Sequence, residues 1–389
     1  MKLFKSLLVA PATLGLLAPM SVSANELNIA EVSGYSSSEE VQNISEFYPK
    51  ELAVTNSRVD GLEARMNDFE AGSFSETTTA SFSADMYLGA LSNDSQVDGG
   101  ETQAGYSFQI DLNTSFTGED SLDISIDAGN AAGLAIAEFD GNSTGDALQV
   151  DGVSYSFPLG DFSFIVGDNT DGSALFTTAC SYGGPSNTLD DCGNVNAGIT
   201  NGGAMAGAAY DFGNGFTVAT GWAGPETQIA ADESLDAYGF NGAYTGDNYG
   251  LSITYGVVET GVSEEDTFTA FNGYYTPDLS GFPSISVGYE IGEDDSVTTA
   301  DDSLTSYFVG LSWDEVGPGS AGVAMGTKTP TVQGTDEALM YEAYYSYSLN
   351  DGVTITPLIY IKEFTEKHPH SGPKYDEETG VMVKTSFSF

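Results

Sequence analysis

Carboxylates recurring at every second position are the most suggestive chemistry in this chain. Asp111 belongs to the polar series Ser107, Gln109, Asp111, Asn113, and Asp123 and Asp127 flank Ser125 in the run Leu122-Asp123-Ile124-Ser125-Ile126-Asp127. Extended chain points successive side chains to opposite faces, so these acids share one face with Ser, Gln and Asn while Leu, Ile and Phe hold the other. The same parity assigns Asp85, Glu290 and Glu342 to polar faces, with Lys362 and Lys384 as the basic residues that join them. A carboxylate-lined surface lowers the energy of a cation beside it and raises that of an anion, which is the chemistry of an ion path. Across the whole chain, 57 acidic residues face 10 basic ones, for a net charge of −47, and no Lys or Arg occurs between Arg65 and Lys328. That balance excludes a nucleic-acid-binding surface.

Other reactive residues are few. Cys180 and Cys192 are the only cysteines, and a lone pair in an oxidising compartment reads as a disulfide rather than a zinc site, which would want further ligands nearby. Both lie in the longest connector, from about Asp168 to Gly203. If that connector folds inward, Asp168, Asp171, Asp190 and Asp191 are its constriction acids. His368 and His370 flank Pro369 between Lys367 and Lys374, as solvated loop residues rather than metal ligands, and two histidines so placed argue against a hydrolase. No cofactor is expected. The acidic cluster Glu293, Asp294, Asp295, Asp301 and Asp302 follows neither the EF-hand nor the Gly-rich calcium repeat, so it suits weakly bound divalent ions such as Ca2+ at most.

Strands must position these residues. Alternation like that of Tyr106, Phe108, Ile110, Leu112 returns in Leu251, Ile253, Tyr255, Val257 and in Leu339, Tyr341, Ala343, Tyr345, Tyr347, Leu349. About 16 such segments of roughly 8 to 13 residues fill the chain from residue 73 to 389, and aromatics gather near their ends. The pattern predicts an all-β fold, a 16-stranded antiparallel transmembrane β-barrel with aromatic girdles, rather than a soluble sandwich whose buried faces would carry Val, Ile and Leu. Short turns such as Gly118-Glu119-Asp120, Gly213-Asn214-Gly215 and Asn350-Asp351-Gly352 alternate with long connectors. In such barrels the short turns are periplasmic, which places both barrel ends in the periplasm. The final stave, Val381, Val383, Thr385, Phe387, Phe389, stops on an aromatic residue, and Phe387 with Phe389 resembles the terminal signal read by the outer-membrane barrel assembly machinery. Lipid and lipopolysaccharide would then surround the barrel.

Ahead of the barrel, Lys2 and Lys5 precede the apolar run Leu7 to Leu17, and Val22-Ser23-Ala24 supplies the cleavage pattern of a signal peptide over residues 1–24. Residues 25–48 read as a flexible leader. Over residues 49–72, Leu52, Thr55, Val59, Leu62, Met66 and Phe69 keep heptad a and d spacing after Pro49 and before Gly72. Arg58 and Arg65 take g positions, and Glu63 and Glu70 the e positions that a neighbouring parallel helix would pair with them. This predicts a coiled-coil trimerisation helix. The competing reading is a single amphipathic helix against the barrel, because Thr55 and Gly61 weaken the seam.

The heptads Val59 to Phe69, the following Phe74-Ser75-Glu76-Thr77-Thr78-Thr79-Ala80-Ser81-Phe82-Ser83-Ala84-Asp85 and the Phe389 ending resemble the cyanobacterial outer-membrane porins of the carbohydrate-selective (OprB-like) and iron-uptake group. The resemblance implies a homotrimer with a narrow pore that passes small solutes passively. Most members carry an S-layer-homology domain before the coiled coil, and Asn25 to Tyr48 is too short to hold one. A sugar-specific channel would need arginines beside its aromatic surfaces, so the arginine-free stretch favours a cation-preferring pore for small hydrophilic solutes and inorganic ions. A carbohydrate-selective porin and a mainly structural outer-membrane protein are the alternatives.

Overall fold

The structure, a computed structural model, describes residues 77–93, 102–131, 137–200, 203–229, 235–261, 264–295, 303–332, 336–364 and 377–389. The expected signal peptide, leader and coiled coil, with Leu52, Arg58, Val59, Leu62, Glu63, Arg65, Met66, Phe69 and Glu70, lie outside them, as do His368 and His370. Among the described residues no helix is long and apolar enough to cross a membrane, which leaves crossing by strands untouched.

The strands are β1 (Thr78–Asn93), β2 (Thr102–Thr114), β3 (Ser121–Gly129), β4 (Gln149–Leu159), β5 (Phe162–Asp168), β6 (Ala204–Asp211), β7 (Phe216–Gly224), β8 (Ala237–Thr245), β9 (Tyr249–Gly261), β10 (Glu264–Tyr275), β11 (Ser284–Glu293), β12 (Ser303–Val316), β13 (Gly319–Thr327), β14 (Thr331–Val332), β15 (Leu339–Asn350), β16 (Val353–Glu363) and β17 (Glu377–Ser388). Each stave pairs antiparallel with its neighbours in chain order, and β1 pairs with both β2 and β17, so the sheet closes. The two-residue β14 pairs with β12 beyond the end of β13 and adds no stave, leaving sixteen. Closure removes every free sheet edge, the condition for a sheet to sit in hydrocarbon.

Strand parity sorts the side chains. Met86, Leu88, Val166, Val218, Phe240, Leu251, Ile253, Val287, Tyr289, Ile291 and Ile359 all stand exposed on the outer face, a continuous apolar surface that water would not tolerate and lipid would. Near the rim that carries the chain end, outward rings stack in series, from Phe116 through Tyr155, Phe157, Phe164, Phe162 and Tyr210 to Phe212, then from Phe216 through Tyr244 to Tyr249. Amphipathic rings favour such a boundary between oil and water. At the seam, Phe82 and Phe389 stack with centroids 5.8 Å apart and exchange backbone hydrogen bonds of 3.0 Å in both directions.

Turns at the chain-end rim are tight. Asp120 fastens one of them, its carboxylate accepting the backbone N–H groups of Phe116 and Thr117, the hydroxyls of Ser115 and Thr117, and the Tyr155 phenol at 2.7 Å. These donors, Tyr155 foremost, hold the Asp120 carboxyl well below the usual carboxylate range. The expected parity of loop length holds with one exception. At the opposite rim β9 ends at Gly261 and β10 begins at Glu264, while at the chain-end rim residues 276–283 make a longer turn.

Candidate functional site: the constricted lumen

Sixteen strands enclose a lumen wide enough for water, and here two loops enter it. Between β5 and β6, residues 169–200 leave the rim opposite the chain end and run along the inner wall from β7 to β15. Their backbone is fastened rung by rung. Thr177 N–H donates to Asn241 Oδ1, Ala179 N–H to Ser252 Oγ and Ser181 N–H to Ser286 Oγ, each at 2.9 Å. The Ser312 hydroxyl donates to the Ser181 carbonyl, Asn272 Nδ2 to the Cys192 carbonyl at 2.8 Å, and the Ser306 hydroxyl to the Gly193 carbonyl. The wall beneath is pared down to admit the chain. A Cβ on Gly288 would collide with the Cys192 carbonyl, and one on Gly221 with the Gly172 carbonyl. Cys180 and Cys192 are joined with their Cα atoms 6.4 Å apart. Cys192 and Gly193 both adopt positive φ, at 53° and 77°, where the loop reverses.

Glu290 and Glu342 point inward, as strand parity requires, but they do not line the passage. They are 2% and 4% exposed, covered by the loop. Glu290 accepts the N–H groups of Asn196 and Ala197 at 2.9 and 2.8 Å and the Asn196 amide at 3.0 Å. Glu342 accepts the Tyr182 hydroxyl at 2.5 Å. Both are latches for the loop, because an inward position faces water only where nothing is laid over it. Asp168 is a second correction. It pairs with Val153 and shares a strand face with the exposed Val166, so it points outward at the rim.

The second inward loop, between β3 and β4, carries the 3-10 turn Ala137–Phe139 among its described residues, 130–131 and 137–148. Phe139 packs on the inward Tyr87 at 5.7 Å, and Asn142 N–H donates to Ser107 Oγ on β2 at 2.8 Å. Glu138 reaches the constriction loop, its carbonyl accepting Asn187 N–H at 2.9 Å and its carboxylate accepting Thr188 N–H at 3.1 Å. A core thus forms inside the barrel, uniting Tyr87, Phe139, Tyr182, Leu189, Phe308, Met340, Leu358 and Tyr360. Neither Glu138 nor Asp140 stood out in the sequence. They follow an apolar run with no strand alternation, and their importance rests on where the loop lands.

Acids remain on the open side. Asp190 and Asp191 are exposed at the turn of the constriction loop. They are open to the passage yet ringed by protein, which pushes the Asp190 carboxyl up to about 6, with Asp140 the next cause. Asp191 is pushed up to about 7, again by burial first, then by Asp190, Glu290, Asp140 and Asp171. Asp171 is raised as well, by burial and by Asp151. The wall of β1 to β3 bears the others. Asp111 accepts from Gln109 Nε2 and Ser125 Oγ, both at 2.8 Å, and Asp123 from Asn113 Nδ2 at 2.6 Å and Ser121 Oγ at 2.8 Å. Asp127 lies across from Gln109 but is itself buried, 8% exposed, so it does not line the passage, while Asp85 lies across from Ser107. Counting pairs up the wall gives one acid per layer in the order Asp123, Asp111, Asp127, Asp85, and layers two residues apart lie about 6.8 Å apart along a strand. Among the described residues the cationic side chains are Lys328, Lys362 and Lys384.

No protein-family model matches the chain. An uncharacterized protein of Nostoc sp. is 35% identical over 109 residues, which are 28% of this chain and 19% of that relative, so the match spans about a fifth of the relative's length. Solved structures share the architecture across most of the chain. OprB of Pseudomonas putida superposes with a TM-score of 0.59 at 10% identity, covering 80% of this chain and 94% of that one. The anion-selective porin of Comamonas acidovorans gives 0.59 at 15% identity, covering 80% and 99%. OmpT, an outer membrane protein of Vibrio cholerae, gives 0.55 at 12% identity, covering 81% and 98%. At such identities the likeness is one of fold, a closed porin-type barrel of sixteen strands.

Proposed function

We propose that the protein is an outer-membrane porin whose water-filled channel passes small hydrophilic solutes and inorganic ions passively and prefers cations. One observation carries the reading: residues 169–200 are latched inside the barrel and present Asp190 and Asp191 to the passage near Asp140. Fold alone does not set the sign of selectivity, since the same architecture serves an anion-selective porin; side chains do. Here no Lys or Arg lies between Arg65 and Lys328 to oppose those acids, and low-dielectric walls make each carboxylate count for more than in bulk water. The proposal is a channel rather than an enzyme, since the sequence's two histidines sit two apart in one connector. The apolar belt and aromatic girdle support placement in the outer membrane. The sequence adds the signal peptide, periplasmic barrel ends, insertion by the assembly machinery and a coiled-coil homotrimer, for which size in mild detergent is the check.

The test is reconstitution of the purified protein in planar bilayers. Stepwise conductance and a reversal potential of cationic sign under a KCl gradient are expected. Absence of conductance would favour a structural protein, and an anionic or null potential would refute the proposed filter.

A further inference from the structure

The lumen's own lysines, Lys362 and Lys384, ought to spoil a negative passage, and the structure brings one turn against both of them. Lys362 on β16 forms an ion pair with Glu138, with the side chains 15% and 6% exposed. Lys384 on β17 places its Nζ 5.8 Å from the centroid of the Phe139 ring, within reach of a cation–π attraction. Glu138 and Phe139 are adjacent residues of the 3-10 turn Ala137–Phe139. The same turn holds the constriction loop through Asn187 and Thr188. The third lysine, Lys328, lies over the Phe364 ring at 3.4 Å where β13 ends.

We propose that the turn Ala137–Phe139 is a charge mask that sets the pore's selectivity: Glu138 cancels Lys362, Phe139 covers Lys384, and the passage is left to the acids. The inference rests on the channel reading above and assigns Glu138 as a specificity-determining residue that needs no contact with the permeating ion. The physical basis is electrostatic. An ion pair viewed from several Å away is a dipole whose field falls faster than that of a bare charge, whereas Lys362 without its partner would confront each cation with a full positive charge.

Reversal potentials of the full chain in planar bilayers under a KCl gradient test the idea. Glu138→Gln keeps size and one acceptor oxygen for the Thr188 N–H but loses the charge and the acceptor that meet Lys362, and the cation-to-anion permeability ratio should fall at least threefold. Glu138→Gln with Lys362→Met removes both charges and should restore the ratio to within twofold of wild type. Wild type without cation preference would overturn the channel filter and this inference together. A cation-preferring wild type with an unchanged Glu138→Gln pore would overturn the mask alone, as would a double variant no better than the single one, because the loss would then come from a displaced loop. Acylation of lysines by a membrane-impermeant reagent, read by mass spectrometry, does not depend on the variants folding. In the native wild-type protein Lys362 should label at least tenfold more slowly than in heat-unfolded protein, and equal rates would overturn the proposal.

Discussion

Replacing both Asp190 and Asp191 by Asn should cut the cation preference about tenfold, and acid should do the same to the unmodified protein. Two unit charges about 4 Å apart interact by about 1 kcal/mol in the dielectric of bulk water and by more near low-dielectric walls. Two carboxylates at one constriction then supply about 2 kcal/mol to a passing cation, and with 1.4 kcal/mol equal to a tenfold ratio, partial screening at 0.1 M salt brings the expected loss near tenfold. The carboxyls are raised to about 6 at Asp190 and about 7 at Asp191, so both are ionised at pH 8 and both protonated at pH 5. Wild type at pH 5 should therefore match the double variant at pH 8, and the variant should change little between the two. Because each group is raised rather than depressed, ionisation as pH climbs through 6 and 7 also weakens the fold locally, so the loop should be most firmly held on the acid side. The assay is the reversal potential in a KCl gradient at each pH. A wild-type ratio flat from pH 8 to pH 5, together with a variant that keeps the full cation preference, would refute the reasoning and move the filter to Asp111 and Asp123.

Glu290→Ala removes the acceptor of the Asn196 and Ala197 N–H groups and leaves two buried donors unpaired, a cost of about 1–3 kcal/mol each; the loop should loosen, and single-channel conductance should rise and become noisier, while an unchanged trace would deny Glu290 its latching role. Cys180→Ser with Cys192→Ser should cost about 3 kcal/mol of loop stability, visible as faster proteolysis within residues 169–203, with only a modest change in conductance because the hydrogen bonds to Asn241, Ser252 and Ser286 remain; equal cleavage rates would count against the staple. Deleting Phe389 removes the stack on Phe82 and both seam hydrogen bonds, so membrane-inserted protein should drop severalfold and unfold at a lower temperature on gel-shift assay; normal insertion would show the seam dispensable.

Much of the architecture was legible along the chain because a barrel writes itself locally. Alternation with period two dictates which face each residue takes once the strand forms, so the inward placement of Asp111, Asp123 and Asp127 and the outward placement of Leu251 and Ile253 follow from neighbours alone. Parity also exposes the error at Asp168, which belongs to β5 and shares the face of Val166. A signal for the docked loop was present too. Many inward positions on β7 to β12, among them Ala219, Gly221, Ala223, Gly239, Ser252, Gly256, Ala270, Ser286, Gly288 and Gly310, are small residues whose missing bulk leaves room for another chain, beside larger ones such as Phe268, Glu290 and Phe308.

Sequence by itself determined the approximate strand count, the sheet's two faces, and the excess of negative charge, since all three depend on residue type and spacing along the chain, whereas the exact sixteen and the closure came from the pairing of strands. Only the tertiary structure decided what the inward acids do. Glu290 and Asp111 carry the same chemistry on strands of the same parity, yet one is buried as a latch and the other stays on the open wall, because a loop distant in sequence is laid over the first and not the second. The meeting of Glu138 with Lys362, more than two hundred residues apart, is likewise a matter of where two loops and a strand converge in the lumen. Local periodicity fixes direction, whereas accessibility and pairing depend on chain that arrives from elsewhere.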